Sequence, residues 1–133
     1  MAQELPSRPK VLVIEDNEAV IITLQILLHR ENYEVIGAQT GHEGLELART
    51  EQPDVILLDW ILPDAEGPSL LAELRQVTQA PCIMVTAQDT PAHCVKALDA
   101  GCDDFVAKPI HPPELLLRLN RLLGERPAGT EEC

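Results

Sequence analysis

Five polar residues of this sequence lie at the ends of short apolar runs, where their side chains could act together: Glu15, Asp16, Asp59, Thr86 and Lys108. Clustered carboxylates repel one another unless a cation lies between them, and hard oxygen ligands that leave room for water suit Mg²⁺. The ammonium and the hydroxyl would form a socket for an anion with several oxygens, such as a phosphoryl group. A carboxylate between the metal and the ammonium could then attack phosphorus.

Asp59 is the most informative of these residues. It follows Val-Ile-Leu-Leu directly, and a buried strand seldom ends in an unpaired charge. Taken alone, Asp16 could simply cap the next helix, because Asp is a favoured N-cap residue, and Lys108 could be a solvated surface charge. The chemistry therefore depends on a fold that brings the five side chains together.

Strand-like and helical segments alternate along the chain. Apolar runs predict strands at 11–14, 33–38, 55–58, 82–86 and 105–107, and helical periodicity with caps predicts helices at 17–29, 40–49, 69–76, 91–101 and 112–123. This alternation predicts an α/β fold, a doubly wound five-stranded parallel sheet in the flavodoxin-like order 2-1-3-4-5 with five flanking helices. Ligands of such sheets bind at the carboxyl ends of the strands, the edge to which all five polar residues belong.

Length and composition predict one acidic domain. The 133 residues divide into an N-terminal extension (1–9), a folded domain (10–124) and a polar tail or start of a linker (125–133). With 10 basic against 22 acidic residues the net charge is −12. Together with the scarcity of aromatic residues, this charge argues against direct nucleic-acid binding.

The same composition predicts a cytoplasmic location. No apolar run approaches the roughly 20 residues that a membrane span needs, and the first ten residues lack the apolar core of a signal peptide. The four cysteines and four histidines show no metal-ligand spacing, which predicts reduced structural thiols and no second metal centre.

Four motifs together are similar to a known family. The segments VLVIEDN, ILLDWILPDAEG, VTAQ and AGCDDFVAKP resemble the receiver domain of two-component response regulators over about residues 10–123. The resemblance implies that Asp59 accepts a phosphoryl group from a phosphohistidine on a histidine kinase or phosphotransfer protein. It also implies no enzyme activity beyond the chain's own phosphotransfer and autodephosphorylation.

The resemblance also implies a metal site. Asp16 and Asp59 would bind Mg²⁺ directly together with the main-chain carbonyl of Ile61, and Glu15 would act largely through a water. Lys108 would pair with Asp59 and then with a phosphoryl oxygen.

A conformational switch is implied as well. Thr86 would move to hydrogen-bond another phosphoryl oxygen, and Phe105 would turn inward into the space that it leaves. The bond between Lys108 and Pro109 would be cis, as in the family.

Two protein-contact surfaces are expected. Ile22 and Ile26 lie opposite the apolar stripe of the first helix, where they are either scattered surface residues or a docking surface for the helical bundle of a kinase or phosphotransfer protein. Four charged residues resemble the phosphorylation-induced homodimer face of transcription-factor receivers: Lys96, Asp104, Glu114 and Arg118. Glu114 and Arg118 are four apart, so they could equally pair along their own helix.

Several other functions stay open. The chain could be the receiver part of a transcription factor, whose DNA contact would come from a further domain, or a stand-alone regulator that acts by protein contact. A haloacid-dehalogenase-type phosphohydrolase would need a second Asp where Ile61 stands. A flavodoxin-like electron carrier would need a phosphate loop where Glu15 and Asp16 would repel FMN.

Overall fold

The structure is a computed structural model that describes residues 8–87 and 90–124. A parallel sheet forms its centre. Within these residues the strands are β1 (Lys10–Ile14), β2 (Glu34–Ala38), β3 (Val55–Asp59), β4 (Ile61–Leu62), β5 (Ala65–Glu66), β6 (Cys82–Thr86) and β7 (Asp104–Ala107). The helices are α1 (Glu18–Arg30), α2 (Gly41–Glu51), α3 (Gly67–Leu74), α4 (Pro91–Asp99) and α5 (Pro112–Leu122). The predicted tail, 125–133, lies outside the described residues.

The strand order confirms the predicted topology. The five-stranded sheet runs β2-β1-β3-β6-β7, and every pairing in it is parallel. Since β6 and β7 are the fourth and fifth strands of this sheet, the order is the predicted 2-1-3-4-5. The strands β3 and β6 are buried along their whole length, as expected for strands covered on both faces.

A short hairpin was missed. Between β3 and α3, where only a loop was predicted, β4 and β5 pair antiparallel through Ile61 with Glu66 and Leu62 with Ala65. Two residue pairs are too few to produce the alternation that marks a strand in a sequence. The helix that follows was predicted at 69–76 but begins two residues earlier, because Pro68 fits its first turn.

The helices cover the sheet in two layers. On one face, α1 and α5 bury Leu24, Leu28 and Leu115 against the sheet. On the other face, α2, α3 and α4 pack on a second apolar cluster through residues such as Leu71 and Ala97. Among the helices that the structure describes, none is long and apolar enough to cross a membrane.

The start of α2 is capped as the sequence predicts. The Thr40 hydroxyl accepts a hydrogen bond from the Glu43 backbone N–H at 3.1 Å. The Glu43 carboxylate in turn accepts from the N–H of Gln39 at 2.9 Å, one residue before the position that a regular capping box uses. The cap fixes where α2 begins, next to the hairpin of β4 and β5.

Gly67, the first residue of α3, packs against the end of β3 so closely that there is no space for a side chain. Its N–H donates to the carbonyl oxygen of Trp60 at 2.6 Å. A Cβ on Gly67 would lie 3.0 Å from the carbonyl oxygen of Asp59, 3.0 Å from the Cα of Trp60 and 2.8 Å from the sulfur of Met84. Two of these neighbours are backbone atoms, which cannot move without shifting the end of β3.

We expect Gly67→Ala to lower the free energy of unfolding by about 1–3 kcal/mol, because the added methyl overpacks the junction. Urea denaturation measures the loss. Ser69→Ala, an exposed position in the same helix, is the matched control and should change stability by less than about 0.5 kcal/mol. Equal stabilities of the two variants would contradict the tight junction.

Candidate functional site

The carboxyl ends of the parallel strands bring the predicted polar residues to one edge. Backbone hydrogen bonds continue the strand pairing one residue beyond β1 and β7: Glu15 N–H donates to Ala38 oxygen at 2.9 Å, and Lys108 N–H donates to Thr86 oxygen at 2.8 Å. These bonds fix the residues that carry the side chains, so the site is built on the sheet and not on free loops.

Three carboxylates meet at this edge. Glu15, Asp16 and Asp59 each offer an oxygen, and these oxygens lie within 4.8 Å of one another. Glu15 and Asp59 are only 4% and 9% exposed, whereas Asp16 faces solvent. The second oxygen of Glu15 accepts a hydrogen bond from the backbone N–H of Asn17 at 3.1 Å, which orients the buried carboxylate.

Lys108 lies between the two buried carboxylates. Its Nζ is 2.8 Å from Glu15 Oε1 and 3.3 Å from Asp59 Oδ2. The expected pairing with Asp59 is therefore present, but the shorter contact is with Glu15. One ammonium thus serves two carboxylates, and Asp16 is left to solvent.

Burial and charge shift the protonation of this cluster. Burial raises the pKa of Glu15, and the nearby Asp59 charge raises it further, while the hydrogen bond from Lys108 acts in the opposite direction. For Lys108, burial acts to lower the pKa, but the hydrogen bond that its ammonium donates to Glu15 and the charge of Asp59 outweigh this effect, so the pKa is raised. The raised pKa of Lys108 favours its charged form, and the contact with Lys108 partly offsets the effect of burial on Glu15.

The two predicted switch residues lie on neighbouring strands. Thr86 ends β6 and is 2% exposed, and Phe105 in β7 is half-buried and packs against the cluster beneath α2, α3 and α4. The register pairs Met84 with Phe105 and Thr86 with Ala107, so Thr86 and Phe105 share one face of the sheet. The bond between Lys108 and Pro109 is cis, as expected.

Two features beside the site were not predicted. Trp60, directly after Asp59, is 3% exposed, and its ring meets that of His93 in α4 edge-on, with centroids 5.0 Å apart. The carboxylate of Asp64 in the hairpin turn accepts hydrogen bonds from α2. In both cases the partners are far apart in sequence, and no local pattern signals such a contact.

The structure exposes the apolar residues predicted on α1, whereas three of the charged residues predicted on the other surface contact one another within the chain. Ile22 and Ile26 are 46% and 53% exposed, as expected from the helical pattern. On the other surface, Arg118 contacts Asp104 at 2.6 Å and Glu114 at 2.8 Å within the chain. The alternative pairing along α5 is therefore present, and Asp104 joins it from β7.

The donor set fits a divalent cation. Three carboxylates offset by one ammonium leave excess negative charge, and oxygen ligands near the edge of a sheet are the kind that Mg²⁺ binds with part of its water retained. Ile61, whose main-chain carbonyl is the predicted backbone ligand, begins the hairpin two residues after Asp59. The arrangement can hold a hard cation and an anionic group on either side of the Asp59 carboxylate.

Comparisons with known proteins agree with this geometry. Residues 11–120 match the model of the response regulator receiver domain. The transcriptional regulatory protein PhoP of Bacillus subtilis, which is described as controlling alkaline phosphatase synthesis, is 40% identical over 115 residues, or 86% of this chain and 48% of PhoP. The chain spans about half the length of the curated relatives that it matches.

Solved structures show the same fold. A CheY-like receiver domain protein from Methanospirillum hungatei superposes with a TM-score of 0.83 at 33% identity, covering 88% of this chain and 94% of that one. A response regulator from Burkholderia pseudomallei, solved with a phosphorylated aspartic acid, a calcium ion and citrate, gives a TM-score of 0.77 at 34% identity and covers 81% and 64%. The chain belongs to the response regulator receiver domain family of two-component signal transduction.

Proposed function

We propose that Asp59 accepts a phosphoryl group from a histidine kinase or phosphotransfer protein in a Mg²⁺-dependent reaction. The observation that carries the proposal is the cluster in which Lys108 contacts both Glu15 and Asp59 while Asp16 lies within ligand distance of them. The proposal has further support from the Burkholderia relative, which carries a phosphorylated aspartic acid and a metal ion.

The chemistry follows from the side chains present. An Asp59 carboxylate oxygen attacks the phosphorus of a phosphohistidine, the P–N bond breaks, and its electron pair goes to the imidazole nitrogen, which takes up a proton. A Mg²⁺ ion held by Asp16, Asp59 and the Ile61 carbonyl, with Glu15 acting through a water, would neutralise charge on the transferred group. The Lys108 ammonium stabilises the same charge from the other side.

Phosphorylation of Asp59 would change the conformation of the chain through the residues at the strand ends. A phosphoryl group on Asp59 offers Lys108 and Thr86 new oxygen partners. Movement of Thr86 would open space on the face that it shares with Phe105, into which the half-buried ring turns. In this account the chain is a switch located in the cytoplasm and has no catalytic activity on other substrates.

Asp59→Asn should abolish acid-labile labelling by acetyl phosphate, because the amide is nearly isosteric but is not a nucleophile. Labelling of the unmodified protein should also be lost when EDTA removes Mg²⁺. The measurement is the shift of the phosphorylated band on a phosphate-affinity gel.

The matched control is Asp54→Asn, which removes a carboxylate before the other end of the same strand. Asp54→Asn should be labelled as the unmodified protein is. Labelling that persists in Asp59→Asn would put the acceptor elsewhere and refute the proposal.

We infer that the kinase docks on α1. Ile22 and Ile26 are exposed on this helix. An apolar groove of about 320 Å³ runs between α1 and the segment after β7, and its lining includes Ala19, Thr23 and Lys108. Because Lys108 belongs to both the groove and the site, a helical partner seated there would present its phosphohistidine beside Asp59.

Ile22→Glu should slow phosphotransfer from the cognate kinase by roughly tenfold or more, the loss expected when a charge enters an apolar contact. Labelling by acetyl phosphate should be unchanged, since that small donor needs no docking. Val95→Glu on α4, where the wild-type side chain is 57% exposed, is the control and should accept phosphate normally. A normal rate from the kinase in Ile22→Glu would remove α1 from the interface.

The output face is defined here as α4, β7 and α5, and we propose that it forms a homodimer on phosphorylation. Three large apolar side chains are exposed on it, Val95, Leu98 and Leu117, at 55–60%. The charges predicted for the dimer belong to the same three elements, with Lys96 exposed on α4 and Arg118 already paired within the chain. Arg118 would have to share its partners with the second copy, so the apolar contacts would supply most of the affinity.

A dimer of this kind suits a transcription factor, since the similar relatives regulate transcription and are about twice as long as the match. DNA contact would then come from a further segment of the protein, because this segment carries a net charge of −12. A stand-alone regulator that acts by protein contact is the alternative.

Sedimentation should show a monomer in Mg²⁺ alone and a dimer when beryllofluoride is added, and the dimer should weaken as salt rises. Leu117→Glu should abolish the dimer, whereas Ile26→Glu on α1 should not. A monomer under both conditions at high protein concentration would contradict the dimer and favour the stand-alone regulator.

A further inference from the structure

The turn of the hairpin formed by β4 and β5 is tied to the start of α2 by one carboxylate. Asp64 Oδ1 accepts a hydrogen bond from the backbone N–H of Gly41 at 2.7 Å, and Oδ2 accepts from the N–H of His42 at 3.0 Å. The first N–H groups of a helix have no partner within the helix. The Thr40 hydroxyl accepts from the N–H of Glu43. Asp64 supplies the acceptors for the N–H groups of Gly41 and His42, the two groups to which Thr40 does not bond.

The two segments also pack closely at this point. A Cβ on Gly41 would lie 3.2 Å from Asp64 Oδ1, 3.3 Å from the Cβ of Ala65 and 3.3 Å from a methyl of Leu70. Gly41 is buried although it begins a helix. The start of α2 therefore lies directly against the hairpin, and the two hydrogen bonds hold a surface that is already complementary.

The inner side of the hairpin is packed, because Leu62 is buried in the core cluster beneath α2, α3 and α4 and Ala65 packs against that cluster, whereas Pro63 and Asp64 at the turn are exposed. At its base the Gly67 N–H donates to Trp60 oxygen at 2.6 Å, and only two residue pairs join β4 to β5. A hairpin of this size is not stable by itself in water. The backbone of Ile61 is therefore held by the base of the hairpin, by the packing of Leu62 in the core, and by the bonds that Asp64 makes to α2.

We propose that Asp64 is a positioning residue for the metal site, which it serves by holding the hairpin that carries Ile61. The inference rests on the proposed function, in which the Ile61 carbonyl is a Mg²⁺ ligand. Removing the hydrogen bonds from α2 to Asp64 lets the hairpin move. The metal affinity then falls, because ordering the Ile61 carbonyl when the metal binds costs free energy.

A plain helix cap would behave differently. If Asp64 only stabilised α2, its removal would lower the stability of the fold and leave Mg²⁺ affinity unchanged. Thr40→Ala is the matched control because it removes an acceptor from the same helix start without touching the hairpin.

The experiment compares Asp64→Ala, Asp64→Asn and Thr40→Ala with the unmodified protein. Mg²⁺ affinity is read from Trp60 emission, since the indole follows Asp59, and the order of the hairpin is read from hydrogen exchange of the Gly67 amide. We expect Asp64→Ala to bind Mg²⁺ roughly tenfold more weakly, near the lower end for outer residues of metal sites, and to exchange the Gly67 amide faster. Asp64→Asn, which keeps one acceptor oxygen, should fall between, and Thr40→Ala should match the unmodified protein in both measurements.

Equal Mg²⁺ affinity in Asp64→Ala and the unmodified protein would overturn the inference, as would an equal loss in Asp64→Ala and Thr40→Ala. If the unmodified protein itself fails to bind Mg²⁺, the proposed function is refuted. The exchange of the Gly67 amide then still decides the structural part, because unchanged exchange in Asp64→Ala would show that Asp64 does not hold the hairpin.

Discussion

The structure of the site depends on one shared cation. Lys108 contacts Glu15 at 2.8 Å and Asp59 at 3.3 Å, and both carboxylates are almost completely buried. Leaving either charge unpaired in such a place would cost several kcal/mol. The ammonium cannot fully neutralise both, and Asp16 adds a third negative group. In the proposed function this imbalance is relieved by a divalent cation, which would supply positive charge, and a phosphoryl group on Asp59 would become the new partner of Lys108.

The fold holds in register the ends of the four strands that carry this cluster. Parallel pairing puts the residues that end β3 and β6 and those that follow β1 and β7 at one edge, and helices on both faces shield the strands from water. The loops then differ in how firmly they are held. Lys108 is fixed by a backbone bond to Thr86, whereas the hairpin after Asp59 is fixed at its base by Gly67 and at its turn by Asp64. In the proposed switch, the parts that move on phosphorylation are Thr86 and the ring of Phe105, which share one face of the sheet.

Much of this arrangement was predictable, for identifiable reasons. Buried parallel strands read as short apolar runs, so the polar residues that end them could be found without coordinates, and the edge of the sheet where they meet follows from topology. The hairpin was missed because two residue pairs leave no periodic signal. The preference of Lys108 for Glu15 over Asp59 depends on differences of less than 1 Å, which sequence spacing cannot determine. The contact of Arg118 with Asp104 joins a helix to a strand, and pairing rules along one helix predict only its contact with Glu114.

The most direct test of the account is to locate the phosphoryl group chemically. Borohydride cleaves an aspartyl phosphate and converts that aspartate to homoserine, which mass spectrometry of the digested protein can assign to one position. After treatment with acetyl phosphate and Mg²⁺, the account predicts homoserine at Asp59 and at no other carboxylate. Reduction at Glu15 or Asp16, or none in protein that is visibly phosphorylated, would contradict the central claim that the carboxylate between the metal and Lys108 is the nucleophile.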